Sequence, residues 1–336
     1  MGVRRRSKAG ARAAPRWLPA AFAATRALTD SLAPTLARRL ARLLPSYGPG
    51  GDGLEAMLGS PAATPFPALL EAYRKDLSLR DDDPRMESIG EAALAFYLYV
   101  RTQDDIVDAP ERCDRGCVYL SEVFEGASLQ AFARALAGDA AVSFFAFRAE
   151  TMRAFSEFAA RDLDTRAAGL DARTNGRRRK PPDPSACGYD GDGAGLKFLP
   201  LAVPLAAVAF AAGRAEHRAA LVRFSTLLGA GLQAVNDLLN SAEDHADKAT
   251  TPVLRELYRL GAVTPADAPA TARWSLLATP LPRQTLTRAR ELMLGAAVVA
   301  EEIGAVELAS VARARADGLD AVPRWMLSLA FGRRLR

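Results

Sequence analysis

The stretch IGEAALAFYLYVRTQDDIVD, residues 89–108, decides the fold. At about 100° per residue, Ile89, Ala93, Phe96 and Val100 line one stripe of a helix, and the same count brings Asp104 and Asp108 onto or beside it, with Asp105 on the flank. Two carboxylates therefore point where apolar side chains belong. Their β-carbons lie roughly 6 Å apart at this spacing, so unpaired they repel, resist burial and drive one another toward the neutral form. Pro110 ends the helix just after them, where the macrodipole already disfavours negative charge. A cation resolves the conflict. Carboxylate oxygens with no histidine or cysteine beside them suit Mg²⁺, which keeps waters and shares its shell with substrate phosphates. For an isolated acidic pair, a solvated turn balanced by Arg101, Arg112 and Arg115 is the plainer reading.

A second polar helix argues against that plainer reading. From residue 221 to 244 the expected apolar stripe is Leu221, Phe224, Leu228, Leu232, Val235 and Leu239, and beside it run Gly229, Gln233, Asn236, Asn240 and Asp244. The last three share one face at i, i+4 and i+8, enough oxygen to chelate a further Mg²⁺. Gly229 leaves room on that face for a close approach. Buried amides also simply bond a neighbouring helix, so this row alone is ambiguous.

Working outward, helical periodicity covers nearly the whole chain, with no sustained period of two; the fold class is all-α. Expected helices run over 66–75, 88–108, 118–136, 142–163, 196–212 and 216–244, then in pieces from 252. Leu28, Leu32, Leu36 and Leu40 suggest one amphipathic helix in a basic N-terminal extension, residues 1–52, ahead of a helical domain, 53–336. Residues 164–195, rich in Gly, Pro, Asp and Arg, read as a long loop of the lid or insertion kind.

The 336 residues, 49% hydrophobic, can form a sizeable core, and the net charge of +5 comes from clusters at 4–8, 177–180 and 333–336. No nucleic-acid motif accompanies them, so nucleic acid is not an expected partner. Cys113, Cys117 and Cys187 make neither a zinc site nor a disulfide framework, which fits a cytoplasmic protein. The apolar run 198–211 holds Pro200 and Pro204 and is short for a membrane span.

The segment YVRTQDDIVD, residues 99–108, resembles the first motif of phytoene synthases, where an arginine precedes DDIVD by three positions. GAGLQAVN, residues 229–236, continuing to Asn240, Glu243 and Asp244, resembles their second motif, with Asn240 for the usual aspartate. It is equally similar to the Q-x-x-D-D-x-x-D motif of polyprenyl synthases and to the N-D-x-x-S-x-x-x-E motif of terpene cyclases. Lys197 looks like the diphosphate-binding lysine of polyprenyl synthases, and KATTP, residues 248–252, like a shortened form of their GK-x-T-x-P segment. The resemblance is thus to the class I isoprenoid synthase superfamily. It implies a single-domain helical bundle around a central cavity, with the two motifs facing each other and holding three Mg²⁺ ions on a prenyl diphosphate.

Carried onto this chain, it implies Asp104, Asp105 and Asp108 as catalytic carboxylates and Asp104, Asp108, Asn236, Asn240 and Asp244 as metal ligands. Arg101, Lys197, Gln233 and Lys248 would bind the diphosphate, with Phe96, Phe144, Phe145, Phe155, Phe158 and Phe198 as candidate walls of a dry pocket. Chain-elongating synthases carry an N-terminal GGKR-x-RP-like segment that is missing here. A prenyl-transferring synthase is the first reading. A cyclase acting on one prenyl diphosphate, a non-catalytic prenyl-diphosphate-binding relative and a membrane-associated scaffold with basic ends are the alternatives. Peripheral membrane contact and a homodimer are compatible with the first.

Overall fold

The computed structural model describes residues 15–43, 66–108, 113–174, 195–246 and 251–330, apart from the side chains of Asp108, residues 162–174 and Leu329. Lys248, Cys187, position 52, residues 175–194 of the expected loop and the basic clusters at 4–8, 177–180 and 333–336 lie outside the described residues. Among the described residues every regular element is a helix, so the all-α class holds. In chain order these are α1 (Trp17–Asp30), α2 (Pro34–Leu43), α3 (Phe66–Asp76), α4 (Pro84–Asp108), α5 (Cys117–Ala135) and α6 (Gly138–Thr174). They continue with α7 (Ala202–Ala211), α8 (Arg218–Leu239), α9 (Ser241–Ala246), α10 (Pro252–Arg259), α11 (Pro269–Leu277), α12 (Leu281–Glu302), α13 (Val306–Gly318) and α14 (Val322–Ala330). The chain packs as two compact units, Met1–Pro67 with Leu79–Ala135, and Ala68–Ser78 with Leu136–Arg336.

The first unit is built on α4. Asp83 caps it, accepting the Arg85 backbone N–H at 2.9 Å, and Pro84 occupies the first helical position, where its missing N–H costs nothing. Met86, Ile89 and almost every residue from Ala92 to Leu98 are buried, because α1 packs on one side of the helix and α5 on another. Trp17 comes so close to Gly90 that an added β-carbon would lie 2.4 Å from its ring. α1, in the expected N-terminal extension, thus lies on the body of this unit. The four-residue leucine spacing does not give one helix: Pro34 opens α2, and the residue before a proline is pushed out of the helical region, so the chain breaks at 31–33.

The second unit is layered on α8, which packs on α7 and α12, with α13 on α12 and α6 on α7. Asp76, at the end of α3, accepts the Glu307 and Leu308 backbone N–H groups at 2.8 and 2.9 Å and so caps α13 from outside. Two sequence expectations change here. α6 runs on to Thr174, well past the expected stop at 163, since Asp164–Gly169 carries no proline and nothing else that must end a helix. The single helix expected over 216–244 divides at Asn240 into α8 and α9.

Beneath α8, the Tyr73 hydroxyl lies 2.8 Å from His217 Nδ1, and both side chains are buried. Burial first, then the Arg214 charge, holds His217 below its ordinary value of 6.5. A histidine kept neutral in the folded state but free to protonate in the unfolded one contributes stability above its ordinary range. That contribution is lost as pH falls through this range toward the lower folded value. Urea midpoints compared between about pH 7.5 and 5 should therefore fall less steeply in His217→Gln, which keeps an acceptor for Tyr73, than in the native chain. Parallel slopes would show that His217 does not set the acid limb.

Candidate functional site

In α4 the burial pattern rotates as the helix leaves its double packing. Leu98, Thr102 and Asp105 form the inward edge of the last turns, while Val100 and Asp104 are half-buried. The expected order is thus reversed: Asp105, placed on the flank by the 100° count, is only 6% exposed and Asp104 is the more accessible. The count drifts because residues 92–96 are apolar and buried all round, so the middle of α4 does not define one stripe. Arg101 joins both carboxylates, Nη1 to Asp104 at 3.1 Å and Nη2 to Asp105 at 3.4 Å. Gln103 donates to Ser121 Oγ of α5 at 2.8 Å, which fixes the rotation of this end. Cys113 is buried nearby; burial first, then its bond to Cys117, keeps its thiol well above the usual range and therefore inert.

The second cluster is assembled on α8 and α9. Gln233 Nε2 donates to Asp237 Oδ1 at 2.6 Å, and Asp237 is 1% exposed. Sequence reading passed over Asp237, although it is the sole carboxylate between Arg218 and Leu239. Asn236 and Asn240 are exposed, and Asn240 Nδ2 donates to Asn236 Oδ1 at 3.0 Å. Although α8 ends at Leu239, the Asn240 N–H bonds Asn236 O at 2.9 Å and the Asp244 N–H bonds Asn240 O at 2.8 Å. This i to i−4 ladder carries the helical register across the break, so Asn236, Asn240 and Asp244 keep their common face.

Three side chains that sequence reading did not single out anchor α9. Arg273 of α11 holds Glu243 at 2.9 Å. His245, buried beside Asp244, has Nε2 2.8 Å from the Asp267 carbonyl and Nδ1 2.8 Å from the Tyr258 hydroxyl of α10. A carbonyl only accepts, so Nε2 carries a proton and donates to it. Thr251 and Pro252, the end of the KATTP segment, start α10 as its N-cap and first residue.

Lys197, half-buried, sits in the turn that docks on the middle of α8. Gly195 lies against Thr226, and the space at Gly229 is taken by Phe198: an added β-carbon would fall 2.1 Å from Phe198 Cβ. The room that Gly229 leaves thus admits the chain's own aromatic ring. On α8's inner face Gly231 lets α12 approach, with Ala289 O and Met293 at 2.9 and 2.8 Å from a virtual β-carbon. Of the candidate wall residues, Phe96 and Phe144 are fully buried, Phe144 with Phe145 and Phe210 around it, and Phe145, Phe155, Phe158 and Phe198 are half-buried.

Among the described residues no three His, Cys, Asp or Glu side chains gather in one cluster. The donors in the two motifs are nevertheless all carboxylate and amide oxygens, the set a hard, hydrated cation such as Mg²⁺ takes, and the outer ones, Asp104, Asn236 and Asn240, are open to water. The residues present fit that ion in kind.

No family profile and no curated protein sequence matches the chain. In structure it is similar to a geranylgeranyl pyrophosphate synthetase from the archaeon Geoglobus acetivorans, with a TM-score of 0.55 and 14% identity over 91% of this chain and 96% of that one. The likeness establishes the fold: this is the all-α isoprenoid synthase architecture.

Gly229→Ala should lower stability by about 1–3 kcal/mol, because Phe198 and the turn carrying Lys197 must move. Gly126→Ala in α5, where nothing lies within 4 Å of the added carbon, should instead raise it by up to about 1 kcal/mol. Denaturant unfolding of both variants checks the pair, and equal effects would show that the Phe198 approach is not tight.

Proposed function

We propose that the chain is a Mg²⁺-dependent enzyme of class I isoprenoid chemistry that ionises an allylic prenyl diphosphate and transfers the prenyl group. The observation that carries the reading is the acidic end of α4. Asp104, Asp105 and Asp108 close a helix whose middle, residues 92–98, is apolar and almost wholly buried, at the pole where its dipole opposes them, in a chain with the fold of a prenyl diphosphate synthetase. Such an arrangement costs stability unless positive charge completes it, and Arg101 supplies part of that charge.

Asp104 and Asp108 on α4 would be one set of metal ligands, and Asn236, Asn240 and Asp244 on α8 and α9 another. Bound Mg²⁺ would supply charge neutralisation for the departing pyrophosphate. Arg101 has a guanidinium already at the carboxylates and can turn its fork to phosphate oxygens. Lys197, in the turn that docks on α8 through Gly195 and Phe198, would provide a second cation, and Gln233 and Lys248 would complete the proposed diphosphate contacts. In the reaction the allylic C–O bond breaks with its electron pair leaving on pyrophosphate, and the carbocation is attacked by a second prenyl double bond. Loss of a proton then restores neutrality. Half-buried Phe145, Phe155 and Phe158 are suited to face such a cation, since aromatic faces attract positive charge and keep water away.

A cyclase is the second reading, favoured by the consecutive Asn236-Asp237 followed by Asn240 and Asp244. The discriminating experiment measures pyrophosphate release, with Mg²⁺ and with EDTA, from geranyl, farnesyl and geranylgeranyl diphosphates, singly and with isopentenyl diphosphate. Coupled or lengthened products identify a transferase and cyclic products from one substrate a cyclase. Prenyl-diphosphate binding with no release identifies the non-catalytic relative.

Asp104→Ala and Asp108→Ala should each lower kcat at least about a hundredfold, the scale of lost electrostatic stabilisation, while circular dichroism stays helical. Retained turnover in either would remove the assignment. Asn240→Asp adds a charged oxygen donor and should preserve or tighten Mg²⁺ binding in calorimetry; loss of helical signal without change in affinity would make Asn240 a structural amide.

A further inference from the structure

The row Asn236, Asn240 and Asp244 has an acidic neighbour that the proposed ligand set leaves out. Glu243 follows Asn240 by three residues, so the two are neighbours on the helix surface. The backbone ladder across Asn240 carries this register from α8 into α9. On the helical count Glu243 falls just outside the edge of the row, about 20° beyond Asn236 on the side away from Asp244. Like Asn236 and Asn240, it is exposed. Arg273, the sole charged residue of α11, reaches it from the neighbouring helix, with Nη2 2.9 Å from Glu243 Oε1. The Arg273 side chain is 23% exposed and that of Glu243 61%, so a largely covered arginine ends on an open carboxylate. An ion pair with one partner in water contributes little to stability. His245 already ties α9 to the Asp267 carbonyl and the Tyr258 hydroxyl, so anchoring is a weak reason for an arginine at this place.

We infer that Arg273 is a further diphosphate-binding residue, which exchanges Glu243 for phosphate oxygens when metal and substrate arrive together. The inference rests on the prenyl diphosphate reading above. A planar guanidinium presents parallel N–H donors that fit two phosphate oxygens, and a diphosphate carries more negative charge than one carboxylate. A cation beside a row of metal ligands repels a bare ion, so it serves that row only when an anion comes with the metal. Glu243 is then the resting partner of Arg273, which keeps the guanidinium at the edge of the row while no substrate is bound. Arg101 rests on Asp104 and Asp105 in the same manner, so each motif carries its own arginine.

The test is calorimetric binding of inorganic pyrophosphate, in the presence of Mg²⁺, to the full chain and its variants. Arg273→Gln should weaken binding about tenfold or more, the scale of lost hydrogen bonds to a charged group. Arg273→Lys keeps the charge without the fork and should fall between that variant and the native chain. Glu243→Gln separates binding from anchoring. Its amide carbonyl still accepts from Arg273, so α9 stays tied, but the competing charge is gone, and pyrophosphate should bind as tightly as in the native chain or more tightly. If Arg273 serves only to tie α9, the two Gln variants weaken binding alike. That outcome, or native affinity in a helical Arg273→Gln, overturns the inference. Should Arg273→Gln fail to fold, Glu243→Gln decides alone, since weaker binding there contradicts a resting partner. Failure of the native chain to bind pyrophosphate with Mg²⁺ overturns the prenyl diphosphate reading itself, and is told apart because it needs no variant.

Discussion

α8 is gripped from two sides at positions where any side chain would be in the way. Gly229 receives Phe198 and, two residues on, Gly231 receives Met293 and the Ala289 carbonyl of α12. Two residues along a helix turn through about 200°, so the contacts fall on nearly opposite faces. A helix held so closely on both sides cannot roll, and rolling is the motion that would scatter a row of ligands spaced four apart. The register of Gln233, Asn236 and Asp237 therefore depends on two glycines that carry no chemistry. Interiors packed at crystal density transmit small displacements, which makes Phe198, and the Lys197 beside it, part of the same arrangement.

The continuation past α8 needs other means, because the helix ends at Leu239 before the last proposed ligands are reached. Two backbone bonds carry the ladder over Asn240, and the short α9 is then fixed from outside through Glu243 and His245. A six-residue helix has little stability of its own. Its position is borrowed from α10, α11 and the Asp267 carbonyl, so the aim of Asp244 is set by residues remote from it in sequence.

Sequence reading reached the class of every long helix and the two polar motifs because those features are local: periodicity, a proline, a run of carboxylates. It missed where the information is not local. The α4 stripe misassigned Asp105 because a helix covered on two sides has no single apolar face, and only the packing of α1 and α5 shows which side closes last. The leucines of the first two helices kept a perfect spacing across a proline that forbids one helix. Asp237 was hidden by its neighbours, two amides with a cleaner spacing. His245, Tyr258 and Arg273 carry no local signal, since what makes them matter is a fold-dependent meeting over 13 to 30 residues of sequence.

The amides in the second motif bear on how charge is balanced when no cation is present. A full set of aspartates at Asn236, Asn240 and Asp244 would put three like charges on one face, successive ones about one turn apart and mutually destabilising. With two amides, Asn240 instead donates to Asn236, and the repulsion becomes a hydrogen bond. Asp237 is buried and held by Gln233, leaving Asp244 as the carboxylate on that face. On α4 the same end is reached differently, by Arg101 lying across Asp104 and Asp105. Both devices stabilise the fold without metal, and both weaken the pull on a metal, since an ion must displace an internal partner in each motif. On the proposed reading, the charge missing from the protein is supplied by the substrate: a diphosphate brings its own oxygens and releases Arg101 to bind them. Metal and substrate binding are then linked, each strengthening the other by the same factor, and the site is completed only when there is something to ionise.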